Sequence, residues 1–128
     1  MKPSAQIIRL TFLGGALGTL IRFALFLTFG DLPSVIFVNL VGAGLIGWLN
    51  GNKKFDNDIQ NALWKTGFAG GFTTMSSFAS LVVLYTQGLG WAAIAGTLLV
   101  TALGLAGYWF SFKISRARAR ASNGRSRE

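Results

Sequence analysis

Four apolar runs, each about as long as a helix needs to cross a bilayer, occupy most of this chain of 128 residues. They cover about residues 7–29, 32–49, 62–85 and 91–112. Charge is nearly absent from them. Residues 10–52 hold only Arg22 and Asp31, and residues 66–112 hold no charge at all. In lipid every backbone N–H and C=O needs a partner within the protein, so uncharged runs of this length are expected to be helices. The connectors are short. Gly30 and Asp31 join the first pair, with Pro33 suited to the first turn of the next helix. Residues 50–61 form a polar link and residues 86–90 an uncharged turn. The first run is longer than a signal-peptide core and three more follow it, so it is read as a span.

Only 12% of the residues are charged, about half the share of an ordinary soluble domain. A soluble fold of this size would have too few polar groups to cover its surface. The expected fold is therefore all-α: one four-helix transmembrane domain over residues 1–128. Its third helix is expected to break near the middle. The basic tail, 113–128, is expected to be disordered and to face anionic lipid rather than nucleic acid.

The chain has no cysteine and no histidine, which removes disulfides, thiolate chemistry and the usual neutral-pH base. Its four acids, Asp31, Asp56, Asp58 and Glu128, all lie outside the apolar runs. No nucleophile–base pair can be assembled, so the chain is not read as an enzyme. A small multidrug-type four-helix transporter needs a membrane-embedded carboxylate to exchange protons, and none is present. A non-transporting membrane scaffold is the other alternative, but scaffolds seldom need a residue like Asn39 or the glycine pair described below.

Four spans put both termini on one side of the membrane. On that side lie Lys2, Arg9, Lys53, Lys54, Lys65, Lys113, Arg116, Arg118, Arg120, Arg125 and Arg127, which are 11 of the 12 basic residues. The positive-inside rule makes that side, with the termini and the middle link, cytoplasmic.

Several residues ask for more than lipid contact. Asn39 places a primary amide in the middle of the second span, where it must bond another helix, water or a ligand. Arg22 is a charge inside the first span with no acid in any span to pair with it. It can snorkel, bond carbonyls or attract an anion. Gly70 and Gly71, followed by Thr73 and Thr74, make a poor helix and predict a break that frees carbonyl oxygens. Met75 and Phe78 share a helix face, as do Thr74 and Ser77. Thr97 and Thr101 add a hydroxyl stripe in the last span. Small residues recur at helical spacing in the first, second and fourth spans (Gly14, Gly18, Gly42, Gly47, Gly96, Gly104, Gly107), as close helix packing in membranes requires.

The stretch Thr66-Gly67-Phe68-Ala69-Gly70-Gly71-Phe72-Thr73-Thr74-Met75-Ser76-Ser77-Phe78 resembles the signature T-G-F-x-G-G-[LF]-[ST]-T-F-S-T-F of the Fluc/CrcB family of bacterial fluoride channels. Asn39-Leu40-Val41-Gly42 with Ile46-Gly47 is similar to a second motif of that family, and Gly18 with Arg22 to a third. The resemblance implies a fluoride-selective channel that exports fluoride passively from the cytoplasm across the bacterial inner membrane. It also implies an antiparallel dimer with a central structural sodium ion, held by carbonyls at positions matching Gly70 and Thr73. The fluoride path would be lined by Asn39, Thr74, Met75, Ser77, Phe78, Thr97 and Thr101, with Arg22 raising the anion concentration at a mouth. Amides, hydroxyls and positive ring edges suit an anion that must leave as well as enter.

Two positions depart from the pattern. Met75 stands where the first pore phenylalanine is expected, and Leu81 where the family often carries an acid. A charge bias of 11 to none also opposes insertion of one sequence in both orientations. These features predict an antiparallel pair with a homologous second subunit, with a homodimer as the runner-up.

Overall fold

The computed structural model describes residues 4–125, with side chains through 121. Lys2, Arg127 and the last three residues of the tail lie outside the described residues. The described chain is helical almost throughout. Helix α1 is Ala5–Phe29, α2 is Asp31–Gly51, α3 covers 58–72, α4 is Met75–Leu89 and α5 is Trp91–Arg125. Among the described residues four segments are long and apolar enough to cross a membrane, and α3 and α4 together make the third of them.

Local chemistry sets the ends. Ser4 caps α1 by accepting from the Ile7 N–H at 3.3 Å. Gly30, at φ +78°, closes α1 with its N–H on the Phe26 carbonyl and lets α2 start at once. Gly90, at φ +54°, does the same between α4 and α5. Helix α4 thus runs to Leu89, four residues past the expected end of the span, and the turn shrinks to one residue. Asn57 caps α3 by accepting from the Gln60 N–H at 2.9 Å. Much of α3, Asn61–Ala69, is wound wide as a π-helix.

The tail corrects the sequence reading. Residues 113–125 continue α5 rather than forming a disordered segment. Alanine and arginine are good helix formers, and extending a helix already held in the membrane avoids the cost of nucleation.

Helices α1 and α3 pack together, α2 packs along α5, and α4 lies against α5 and α2. The third span therefore changes partners where it breaks. Close approach makes the α1–α3 contact possible. A Cβ on Gly18 would strike the Phe68 carbonyl and come 2.7 Å from the Phe72 nitrogen, and one on Gly71 would strike the Gly15 carbonyl. Gly47 likewise lies on the Tyr108 backbone of α5. Gly96 and Gly107, grouped with these by spacing, have nothing within 4 Å of a built Cβ, so they bring no helices of this chain together. Two buried serines stitch neighbouring elements. Ser34 donates to the Leu25 carbonyl at 2.8 Å and Ser115 to the Trp48 carbonyl at 2.7 Å.

Candidate functional site

The third span breaks at Thr73 and Thr74, which are both extended (φ −80°, ψ 158° and φ −146°, ψ 110°). The glycines before them are not the cause. Gly70 and Gly71 are helical, and the threonines take the break because neighbouring side chains supply the backbone partners it needs.

Those partners come from α1 and α2. The Asn39 side chain bonds both backbone groups of Thr74. Its Oδ1 accepts from the Thr74 N–H at 3.0 Å and its Nδ2 donates to the Thr74 carbonyl at 3.1 Å. Arg22 Nη1 donates to the Thr73 carbonyl at 3.3 Å. Thr19 Oγ1 donates to the Gly71 carbonyl, also at 3.3 Å. Thr73 turns its own hydroxyl back to the Ala69 carbonyl at 2.8 Å. Buried backbone groups without partners are costly in lipid, and here the side chains of two helices answer them.

Each motif residue pair has a division of labour. Gly42 lies one turn from Asn39, and a Cβ there would run into the Thr73 methyl. Gly18 lies one turn before Arg22 and admits the α3 backbone. In both pairs a glycine lets the third span come close and a long polar side chain, one turn away, catches the break.

Thr74 also starts α4. Its Oγ1 accepts from the Ser77 N–H at 3.3 Å and donates to Ser77 Oγ at 3.0 Å. The Ser77 hydroxyl proton is left to donate elsewhere, and Ser77 is exposed. Asn39 Nδ2 keeps a second proton beyond the one given to Thr74.

The remaining candidates lie apart from this clamp. Phe78 and Thr97 line one apolar groove of about 210 Å³ between α2, α4 and α5, with Ile36 and Tyr85. Met75 is 75% exposed and faces away from its own chain, and Thr101 is exposed too. The hydroxyls of Thr97 and Thr101 donate to the Ala93 and Thr97 carbonyls of their own helix, at 2.8 and 2.9 Å. In this rotamer they offer lone pairs rather than protons.

For a cation, carbonyl oxygen is a suitable hard donor. The Gly70 carbonyl loses its helical donor, because the Thr74 N–H goes to Asn39, and space around the Gly70 α-carbon is open. The Thr73 carbonyl already accepts from Arg22 through one lone pair and keeps the other. Among the described residues there is no cluster of acidic, cysteine or histidine ligands.

Sequence reasoning missed Thr19. It lies three residues before Arg22, on the same helix face, and that spacing was the available signal.

The family described as "CrcB-like protein, Camphor Resistance (CrcB)" matches residues 9–112. A protein of Corynebacterium glutamicum named "Fluoride-specific ion channel FluC 1" is 45% identical over 65 residues, which cover 50% of this chain and 58% of that one. A protein of the same name in Corynebacterium diphtheriae is 39% identical over 70 residues, 55% of this chain and 64% of its own. The chain thus spans less than two thirds of the length of these two relatives. "Fluoride-specific ion channel FluC" of Escherichia coli is 34% identical over 115 residues, 77% of this chain and 90% of that protein. No solved structure matches the chain.

Proposed function

The chain belongs to the CrcB family, and from that premise we propose that it is one subunit of a fluoride-selective channel that lets fluoride leave the cytoplasm passively. The observation that carries the reading is the break at Thr73 and Thr74, held open in the third span by Arg22 and Asn39. A packing helix has no use for such a break. A conduit for a small anion does, because the break starts α4 beside neutral donors: the free Ser77 hydroxyl proton and the second amide proton of Asn39. Neutral donors hold an anion without trapping it. Arg22 directs its guanidinium to the break, so its charge also lies near the path.

The working form is a dimer. Helix α4 has no fully buried residue, and Met75 faces outward. Helix α1 likewise leaves Phe12, Leu20 and Phe23 exposed around an open groove. A second, antiparallel subunit covers these faces and completes a path that runs past Met75, Phe78, Thr97 and Thr101. The partner is a homologue of opposite orientation, since the basic residues of this chain favour one insertion. A structural sodium ion at the dimer centre would be held by the Gly70 and Thr73 carbonyls of each subunit. It would supply fixed positive charge between the two paths. The dimer sits in the bacterial inner membrane with the termini of this subunit in the cytoplasm.

Fluoride efflux from liposomes tests the reading. The protein, reconstituted with a homologue of opposite charge bias, is expected to release fluoride and retain chloride. Equal release of both anions, or no fluoride release with any homologue, would overturn it.

A further inference from the structure

At the end of the bundle that carries the described basic loop, the link between α2 and α3 and the extended end of α5 enclose an open groove of about 780 Å³. Lys53 and Lys54 line one wall, and Arg116, Arg118 and Arg120 the other. Among the described residues the one acid in its lining, Asp56, lies 3.9 Å from Lys65 and is thus shared with a sixth cation. We propose that this groove binds the headgroup of an anionic phospholipid.

The groove is built rather than a chance run of charge. Its floor is locked where α2 meets α5. Ser115 is 2% exposed and donates to the Trp48 carbonyl at 2.7 Å, and Gly51 leaves no room for a Cβ against the α5 backbone. Two walls from distant parts of the sequence are thereby fixed with their cations on one space. Tail residues that a disordered segment would scatter are held on a helix.

Height along the membrane normal selects the ligand. The apolar run ends at Phe112. At 1.5 Å per residue, Arg116 lies about 6 Å beyond it and Arg120 about 12 Å. One headgroup layer is about 5–8 Å thick. The lower part of the groove therefore lies at phosphate level and the upper part opens to water. Trp48 and Phe112 line the base, where acyl chains begin. Lys113 Nζ sits 3.6 Å from the centroid of the exposed Trp109 ring, the pairing of aromatic and basic residue expected at that border. A free phosphate or a nucleic acid would use the cations but leave the apolar base unused. The proposal needs the membrane span and not the fluoride path, so the two readings fail separately.

Native mass spectrometry of the full chain in detergent tests it, with phosphatidylglycerol, phosphatidylcholine, inorganic phosphate and a short single-stranded DNA as separate probes. Phosphatidylglycerol is expected to be retained over phosphatidylcholine. Retention should fall at least about tenfold in Arg116→Gln/Arg118→Gln, since each surface cation is worth several-fold. It should fall comparably in Lys53→Gln/Lys54→Gln, from the opposite wall. The control Arg9→Gln, on α1 and outside the lining, should retain it. Equal loss in the control, equal retention of phosphatidylcholine, displacement of the lipid by millimolar phosphate, or tighter binding of DNA would each overturn the assignment.

Discussion

The Asn39 side chain binds Thr74 as a neighbouring strand would, with its carboxamide oxygen on the N–H and its amide nitrogen on the C=O, at 3.0 and 3.1 Å. One residue of α2 thus answers both backbone groups of a residue at the break. Asn39→Ala strips both partners at once and leaves two backbone groups unsatisfied, at about 1–3 kcal/mol each. The expected outcome is a lower melting temperature in detergent and a loss of fluoride efflux of at least about tenfold. An Asn39→Ala protein that melts and conducts like wild type would show that the clamp does not hold the break.

Gly42 and Thr73 should behave as a coupled pair. A methyl on residue 42 meets the Thr73 methyl, so Gly42→Ala is expected to destabilise by about 1–3 kcal/mol through overpacking. Thr73→Ser removes that methyl and keeps the hydroxyl that donates to Ala69, and alone it should change little. The double variant should recover most of the lost stability. A thermal-melt double-mutant cycle with no coupling energy would place the Gly42 requirement elsewhere.

Arg22 reaches the Thr73 carbonyl from the first span. If this contact is its main task, Arg22→Ala should cost much of the fluoride flux while Arg22→Lys, which keeps a long cationic donor, retains more. The ratio of wild-type to Arg22→Ala flux should also stay constant between low and high concentrations of an impermeant salt. A charge that acts by steering from a distance would lose its advantage as the Debye length shrinks.

The helical spans were legible because uncharged runs of that length have one solution in lipid, and Asn39 and Arg22 stood out as polar groups without partners in their own spans. The place of the break was less legible. Helix propensity points to Gly70 and Gly71, yet both stay helical, because the break forms where Asn39 and Arg22 can satisfy it, and that is a tertiary fact. Spacing also grouped Gly96 and Gly107 with Gly18 and Gly47, but a repeat of small residues does not say which face meets a helix of the same chain. The tail misled through its composition: a basic stretch rich in serine and alanine read as disorder, while continuity with α5 keeps 113–125 helical.

Met75 and Phe78 carry the last prediction, because they lie three apart and yet in different surroundings. Phe78 lines the groove against α2 and α5, whereas Met75 is 75% exposed. A thioether lacks the positive ring edge that favours an anion. With a homologous partner, Phe78→Ala should therefore reduce fluoride efflux by at least about tenfold, whereas Met75→Ala should reduce it less. Met75→Phe should raise the flux of the protein reconstituted alone, by restoring a ring edge at a position already open to fill. Initial rates at a fluoride electrode, normalised to protein per liposome, give all three comparisons. If Phe78→Ala leaves efflux unchanged while Met75→Ala abolishes it, the path follows the exposed face of α4 and not the groove behind it.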